Sequence, residues 1–144
     1  MKIANFIFIL LLLASCSGVK PNTLIGTWQS NEKMTLQSMH EIPEVSEKAK
    51  VLFEHDFFGK LINEYGPKNS KSYYKNSSEN YEGIDKPSPY KIIEETNEYY
   101  IISNYNNALN KYETLTLFKE GSCYYVLVTK WKFREYFCRI EKPL

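Results

Sequence analysis

The chain has 144 residues, with 18 basic and 17 acidic side chains and a formal net charge of +1 at pH 7. This length suits a single domain, and the near balance of charge gives no electrostatic basis for binding nucleic acid or an anionic membrane surface. Aromatic residues make up 15% of the chain and include 12 tyrosines, which favours β-strands before any pattern is considered.

The N-terminal segment is typical of a secretory signal peptide. Lys2 supplies a positive charge, residues 3–14 are apolar apart from Asn5, and small residues follow. The apolar core is shorter than the roughly 20 residues that a transmembrane helix needs. The sequence therefore predicts an exported protein.

Residues 13–16 have the sequence Leu-Ala-Ser-Cys and resemble the lipobox of bacterial lipoproteins. In that family the signal is cut before the cysteine, whose thiol carries a diacylglycerol and whose new amino group is usually acylated. The resemblance implies that residues 1–15 are removed, that Cys16 attaches the protein to a membrane, and that residues 16–22 are a tether. Two or more acyl chains are what stable anchoring requires. The alternative is an ordinary secreted protein with Cys16 as a free thiol.

The same resemblance implies a place in the cell envelope. In many Gram-negative bacteria an aspartate after the lipidated cysteine retains lipoproteins at the inner membrane, so Ser17 is compatible with the periplasmic side of the outer membrane. Removing residues 1–15 from the 144-residue chain leaves 129 residues, and the loss of Lys2 leaves 17 basic against 17 acidic side chains. The mature chain is therefore neutral.

The first predicted elements mix strand and helix. Residues 23–30 predict a strand in which Gly26 permits a bend or a close backbone approach, and Ser30 or Asn31 can cap a short helix after it. Residues 44–58 predict an amphipathic helix that starts at Ser46 or at the preceding Pro-Glu turn and ends at Gly59. Its apolar face consists of Val45, Ala49, Leu52, Phe53 and Phe57.

From Lys60 onward the sequence alternates with a period of two residues between repeated turn signals, which predicts seven further strands. We therefore expect a mainly β domain over residues 23–144, with one or two N-terminal helices. Its antiparallel meander would close into a small barrel or form a strongly curved sheet. The seven candidate strands cover residues 60–66, 71–76, 90–95, 98–105, 111–119, 123–131 and 133–141.

The last two predicted strands carry a pair of cysteines. A hairpin turn centred between Lys130 and Trp131 places Cys123 directly opposite Cys138. An oxidising compartment permits a disulfide between them, and two packed thiols are the alternative. The same register sets two aromatic pairs face to face, Tyr124 with Phe137 and Tyr125 with Tyr136.

A glycine and a tryptophan near the mature N-terminus, followed by a meander and a late arginine, resemble the lipocalin pattern. Gly26 and Trp28 match the G-x-W motif of that superfamily, in which the tryptophan packs against an arginine of the last strand. Arg139 is the candidate for this arginine and Arg134 its competitor, since the chain has no other arginine. The resemblance implies a lipocalin-like barrel and a ligand-carrying role.

A ligand pocket, if the barrel holds one, would be lined by tyrosines that combine apolar walls with hydroxyl groups. The candidates are Tyr99, Tyr100, Tyr124 and Tyr136. The alternative is a barrel interior that the tyrosines fill, with further aromatic rings on the surface.

No catalytic or metal-binding motif stands out in the sequence. His40 with Glu41 and Glu44, or His55 with Glu54 and Asp56, could be drawn as ligand sets, but neither has the i, i+4 histidine pair of a zinc helix. We therefore expect no cofactor, no metal and no enzymatic activity.

These observations favour a lipid-anchored, non-catalytic binding or interaction module whose partner is a small apolar ligand or an envelope protein. The alternative is an inhibitor or immunity-type protein that blocks an enzyme or a toxin, with the polar loop at residues 76–89 as its binding edge. A purely structural subunit is a third possibility.

Overall fold

The computed structural model of the chain describes residues 24–55, 57–75 and 86–141. Within them, eight strands form one closed barrel in which sequence neighbours pair antiparallel. This confirms the predicted mainly β domain with two N-terminal helices and a meander that closes into a barrel. The elements are β1 (Gly26–Ser30), α1 (Glu32–His40), α2 (Glu47–Glu54), β2 (Leu61–Tyr65), β3 (Asn69–Tyr74), β4 (Ser88–Glu95), β5 (Tyr99–Asn106), β6 (Lys111–Glu120), β7 (Cys123–Val128) and β8 (Phe133–Ile140).

β1 closes the barrel because it pairs with both β2 and β8, so that Thr27 lies opposite Glu64 on one side and Ile140 on the other. Because successive strands run in opposite directions, the connections between them lie alternately at the two ends of the barrel. We call the end at Leu24, with the β2–β3, β4–β5 and β6–β7 turns, the closed end. The opposite end, with α1, α2 and the β5–β6 and β7–β8 turns, is the mouth.

α1 continues the barrel wall where β1 stops. Asn31 caps the helix by accepting a hydrogen bond from the Met34 amide at 3.0 Å. Thr35 Oγ1 then accepts from the backbone N–H of Tyr136 at 3.0 Å, and Ser38 Oγ accepts from that of Arg134 at 2.9 Å. Side chains of α1 thus accept hydrogen bonds from the backbone N–H groups of β8 that lie beyond the end of the short β1.

α2 is shorter than the predicted helix over residues 44–58. Ser46 caps it, accepting from the Ala49 amide, but the helix ends at Glu54 and not near Gly59. His55 has φ −93° and ψ 77°, outside the helical region. The periodicity beyond residue 54 therefore belongs to a turn, where i, i+4 spacing no longer keeps side chains on one face.

The predicted apolar face of α2 is wrong at two positions. Val45 and Phe53 are buried against Phe133 of β8. Leu52 and Phe57 are instead 65% and 57% exposed, because two helical turns bury only a narrow stripe and Phe57 lies past the helix end.

Several strand boundaries also differ from the prediction. β3 covers Asn69–Tyr74 and not residues 71–76, and β7 ends at Val128 and not at residue 131. β1 starts at Gly26 and not at residue 23. β4 starts at Ser88, so Pro89 belongs to a strand and lies opposite Asn69. The candidate binding loop at residues 76–89 is therefore shorter than predicted, and residues 76–85 lie outside the described part of the chain, as do the signal segment, Cys16, the tether and Asp56.

Neither helix of the described part of the chain has the length and apolar character needed to cross a bilayer.

Candidate functional site

The closed half of the barrel interior is filled by side chains. Strand register identifies the inner face, since residues opposite one another share a face. Trp28, for example, lies opposite Asn63 on β2 and Arg139 on β8. The buried inner cluster consists of Leu24, Trp28, Tyr65, Tyr90, Tyr100, Ile102, Leu117, Tyr124 and Phe137.

The three residues of the G-x-W resemblance lie together at the closed end. The Arg139 guanidinium carbon is 4.7 Å from the centre of the Trp28 ring, and the indole N–H donates to the Leu24 carbonyl at 2.9 Å. A Cβ built on Gly26 would lie 2.9 Å from Arg139 Nη1, so the arginine fits there because residue 26 lacks a side chain. Arg134, the competitor, lies on the outer face against the Tyr125 ring.

A second cation covers a ring at the closed end, and sequence reasoning missed it. Lys119 shares the inner face of β6 with Leu117, and its ammonium lies 3.8 Å from the centre of the Tyr100 ring. The same nitrogen donates to the Glu95 carboxylate at 3.1 Å and to the Thr96 carbonyl at 2.6 Å. The alternation of Leu115, Leu117 and Lys119 along β6 was the signal that could have found it.

The mouth half of the inner face is covered in one part and partly exposed in another. Phe133, at the mouth end of β8, is 1% exposed and packs in a second core cluster with Met39, Val45, Phe53 and Phe58. Leu115 lies opposite Ile102 on β5 and therefore points inward, yet it is 39% exposed whereas Ile102 is fully buried. Other inward-facing residues toward the mouth are also only partly buried: Leu61, Asn63, Ser72, Val126 and Glu135.

The barrel wall between β6 and β7 is paired over only part of its length. Among the described residues, these strands pair only where Phe118–Glu120 face residues 123–125. Toward the mouth, β6 residues 111–117 and β7 residues 126–128 are not paired with each other. We call the unpaired stretch between these two segments the lateral slot. Leu115 and Val126 lie on its two sides.

A chain of hydrogen bonds crosses the interior between β2 and β7, which are not neighbours in the barrel. Ser72 Oγ donates to Asn63 Oδ1 at 2.7 Å, and Asn63 Nδ2 donates to the Tyr124 hydroxyl at 3.0 Å. Tyr124 shares a further hydrogen bond with Tyr65. Burial raises the pKa of Tyr65 to about 12 and that of Tyr124 well above its usual value, so both phenols are neutral.

Glu135 is the inward-facing carboxyl group beside this chain, and sequence reasoning missed it. It lies opposite Val126, and its neighbours on the same face of β8, Phe133 and Phe137, are 1% and 3% exposed. Burial raises the pKa of the Glu135 carboxyl to about 7, since the charged form loses hydration. Phe133, Glu135 and Phe137 alternate along one strand and so share a face, and this spacing could have identified the inward-facing carboxyl.

The other charged groups on the inner face already have partners. Lys119 and Arg139 are held at the closed end as described. Glu113, toward the mouth, accepts from Asn106 Nδ2 at 2.8 Å and lies 3.5 Å from the Lys111 ammonium. Of the ion pairs seen among the described residues, none includes Glu135.

The four candidate pocket tyrosines do not come together. Tyr100 and Tyr124 belong to the buried inner cluster. Tyr99 lies on the outer face, where its hydroxyl donates to Glu94 at 2.7 Å. Tyr136 is also on the outer face, buried under α1, and its hydroxyl contacts the Glu120 carboxylate.

The two cysteines of the last hairpin lie opposite each other and are joined by a disulfide. The Asn31 amide donates to Cys138 Sγ at 3.4 Å, which places the bridge on the outer face beside α1. The aromatic pairs of this register, Tyr124 with Phe137 and Tyr125 with Tyr136, have ring centres 5.3 Å apart in both cases.

The histidines lie outside the barrel. His40 Nε2 is 2.8 Å from Glu54 Oε1, which joins the ends of α1 and α2. The set of His40, Glu41 and Glu44 does not form, since no group of three histidine, cysteine or carboxylate side chains converges within the described residues. The set of His55, Glu54 and Asp56 includes a residue outside the described part of the chain.

Comparison with known proteins gives no match. No protein-family model matches the chain, and neither curated proteins nor solved structures give a significant match.

Proposed function

We propose that the protein is a lipid-anchored lipoprotein of the cell envelope whose barrel binds a small, largely apolar ligand without catalysis. The observation that carries this proposal is the contrast along the inner face. The closed half is filled by buried rings, whereas Leu115, directly beside the fully buried Ile102, is 39% exposed. A lipocalin-like carrier needs such an accessible inner surface.

The chemistry of the mouth suits binding of this kind. Ligand sites combine apolar walls with a few placed polar groups. Leu61, Leu115 and Val126 supply the walls, while Asn63 and Glu135 supply polar groups at defined positions. Burial raises the pKa of the neighbouring phenols, Tyr65 and Tyr124, so they act as neutral hydrogen-bonding groups beside the site.

The lipid anchor rests on the lipobox-like residues 13–16. A chain spans at most about 3.5 Å per residue, so Cys16 would lie within about 28 Å of Leu24 at the closed end. In a Gram-negative cell, Ser17 is compatible with the periplasmic side of the outer membrane.

A fluorescence titration tests the binding function, with N-phenyl-1-naphthylamine as an apolar probe. We expect saturable binding of one probe per chain, weakened at least ten-fold by Leu115→Trp, which fills the mouth. Leu127→Trp is the matched control, because Leu127 is 48% exposed on the outer face of β7. Absence of saturable binding, or an equal loss in both variants, contradicts the proposal.

Membrane fractionation tests the anchor separately. Cys16→Ser removes the thiol that would carry the diacylglycerol, so we expect the variant to leave the membrane fraction. Retention of this variant with the membranes contradicts lipid attachment at Cys16.

One observation favours the alternative of an inhibitor or immunity-type protein. Val51, Leu52 and Phe57, which we call the α2 patch, are 52%, 65% and 57% exposed, and exposed apolar groups of this kind mark protein interfaces. A stoichiometric protein retained from envelope extract by the wild type, and lost with Leu52→Glu, would support this function. Leu109→Glu is the control, since Leu109 is 56% exposed in the β5–β6 turn.

A further inference from the structure

We propose that the mouth takes a ligand with an ammonium group on an apolar chain, with the ammonium against the Glu135 carboxylate and the chain in the lateral slot. The inference rests on the proposed binding function and names its ligand class. Three features of the barrel interior carry it: the place of Glu135, the state of the neighbouring polar groups and the walls of the slot.

Packing alone does not explain a carboxylate at the position of Glu135. Its neighbours on the inner face are Phe133 and Phe137 on β8 and Val126 on β7. A charge among apolar groups is costly unless an opposite charge accompanies it. Lys119 and Arg139 are held over rings at the closed end, and Lys111, toward the mouth, lies 3.5 Å from Glu113. A cationic ligand would therefore supply the opposite charge that Glu135 lacks among the described residues.

The neighbouring polar groups are already satisfied. Ser72, Asn63, Tyr124 and Tyr65 form a continuous chain of hydrogen bonds. A ligand that enters the mouth can therefore bond to Glu135 without breaking this chain. An ammonium group offers N–H donors and a charge opposite to that of the Glu135 carboxylate. A carboxylate ligand would meet a like charge, and Lys111, the inward-facing cation of β6 toward the mouth, already lies 3.5 Å from Glu113.

The lateral slot provides the complementary apolar surface. Leu115 stands on its β6 side and Val126 on its β7 side, opposite Glu135. A hydrocarbon chain lying between the two strands would cover Leu115, which is 39% exposed. The head group and the tail of one ligand thus have adjacent surfaces of matching chemistry.

Isothermal titration calorimetry at pH 8 with three probes of equal length tests the inference. Octylamine, octan-1-ol and octanoate each have eight carbons and carry a cationic, a neutral and an anionic head group at pH 8. The protein is the full chain with Cys16→Ser, which removes acyl chains that would compete. We expect octylamine to bind at least ten-fold more tightly than octan-1-ol, and octanoate more weakly than both.

Two variants assign the preference to one residue. Glu135→Gln should reduce the octylamine affinity to that of octan-1-ol, while leaving octan-1-ol binding unchanged. Glu113→Gln, at the other inward-facing carboxyl near the mouth, should keep the preference, and circular dichroism checks that both variants fold. Equal binding of all three probes, or a preference that survives Glu135→Gln, overturns the ammonium site while the binding function stands. If no probe binds, both proposals fail.

Discussion

Both ends of this barrel carry charged side chains on the inner face, but the surroundings of these charges differ. At the closed end, Arg139 and Lys119 each cover an aromatic ring, and Leu24 is fully buried in the inner cluster. At the mouth, Glu135 lies beside apolar side chains and has no ion pair with any described residue, and Leu115 is 39% exposed. Tight packing and access to the inner face thus occupy different parts of one small barrel.

Strand length explains part of this difference. β1 has five residues and β6 has ten, so the wall cannot be completed evenly at both ends. α1 replaces the missing part of β1 along β8, through Thr35 and Ser38. No such replacement is seen between β6 and β7 within the described residues, and the lateral slot lies there.

The largest expected effect comes from emptying the closed end. Trp28→Ala removes a buried ring at the centre of the packed half, and we expect a loss of about 3–5 kcal/mol in the free energy of unfolding. Urea denaturation followed by circular dichroism measures it. Leu127→Ala, on the exposed outer face, should change the stability by less than about 0.5 kcal/mol. Similar losses in both variants would show that the closed end is not the stable core.

Ionisation of Glu135 should lower the free energy of unfolding. Its pKa is about 7 in the folded protein against 4.5 for the free group, so the folded state keeps a proton that the unfolded chain releases between these values. The stability of the wild type should therefore fall as pH rises from 4.5 to 7.

Glu135→Gln should remove this fall. The variant should be more stable than the wild type by up to about 3 kcal/mol at pH 8 and equal to it below pH 4.5. Urea denaturation at a series of pH values measures the difference. A variant that is less stable at pH 8 would mean that the carboxylate has a stabilising partner.

Gly26→Ala tests the close approach at the closed end. Gly26 has φ +146°, which strains any other residue, and an added Cβ would meet Arg139 Nη1 at 2.9 Å. We expect a loss of about 1–3 kcal/mol. Gly121→Ala is the matched control, since Gly121 has φ +59° and open space around it. An equal loss of stability in both variants would mean that backbone strain alone accounts for it and that the contact with Arg139 contributes nothing.

The smallest expected effect is that of the cation over Trp28. Arg139→Ala should lower the stability by about 0.5–1 kcal/mol and change the Trp28 fluorescence, measured with Trp131→Phe so that one tryptophan remains. Arg134→Ala, on the outer face, should leave that emission unchanged. Emission that responds equally to both replacements would contradict the specific stacking.

Much of the barrel could be predicted because short strands with clear turns leave few alternatives. The turn near Lys130 fixes the register of the last hairpin, so that Cys123 opposite Cys138 follows from counting residues. The arrangement of Gly26, Trp28 and Arg139 was expected only through a resemblance, because a contact between the first and last strands cannot be read from local pattern.

The candidate site was less predictable. Tyr99 and Tyr100 are consecutive on one strand and must point to opposite faces, so they could not line one pocket together. Glu135 was missed because a charged residue on a strand is normally assigned to the outer face. The exposure of Leu52 followed from the length of α2, which depends on where the chain turns toward β2 and not on the apolar spacing alone.

Barrel closure has a consequence for the order of folding. Contacts between β7 and β8 are local, whereas Thr27 and Ile140 meet across most of the described chain. Closing so long a loop costs entropy before any contact compensates for it. We expect the disulfide hairpin to form early and β1 to dock last. Until β8 is available, β1 and α1 have no wall to complete. In a chain that crosses a membrane from its N-terminus, these two elements would therefore stay undocked until nearly all of the chain had passed.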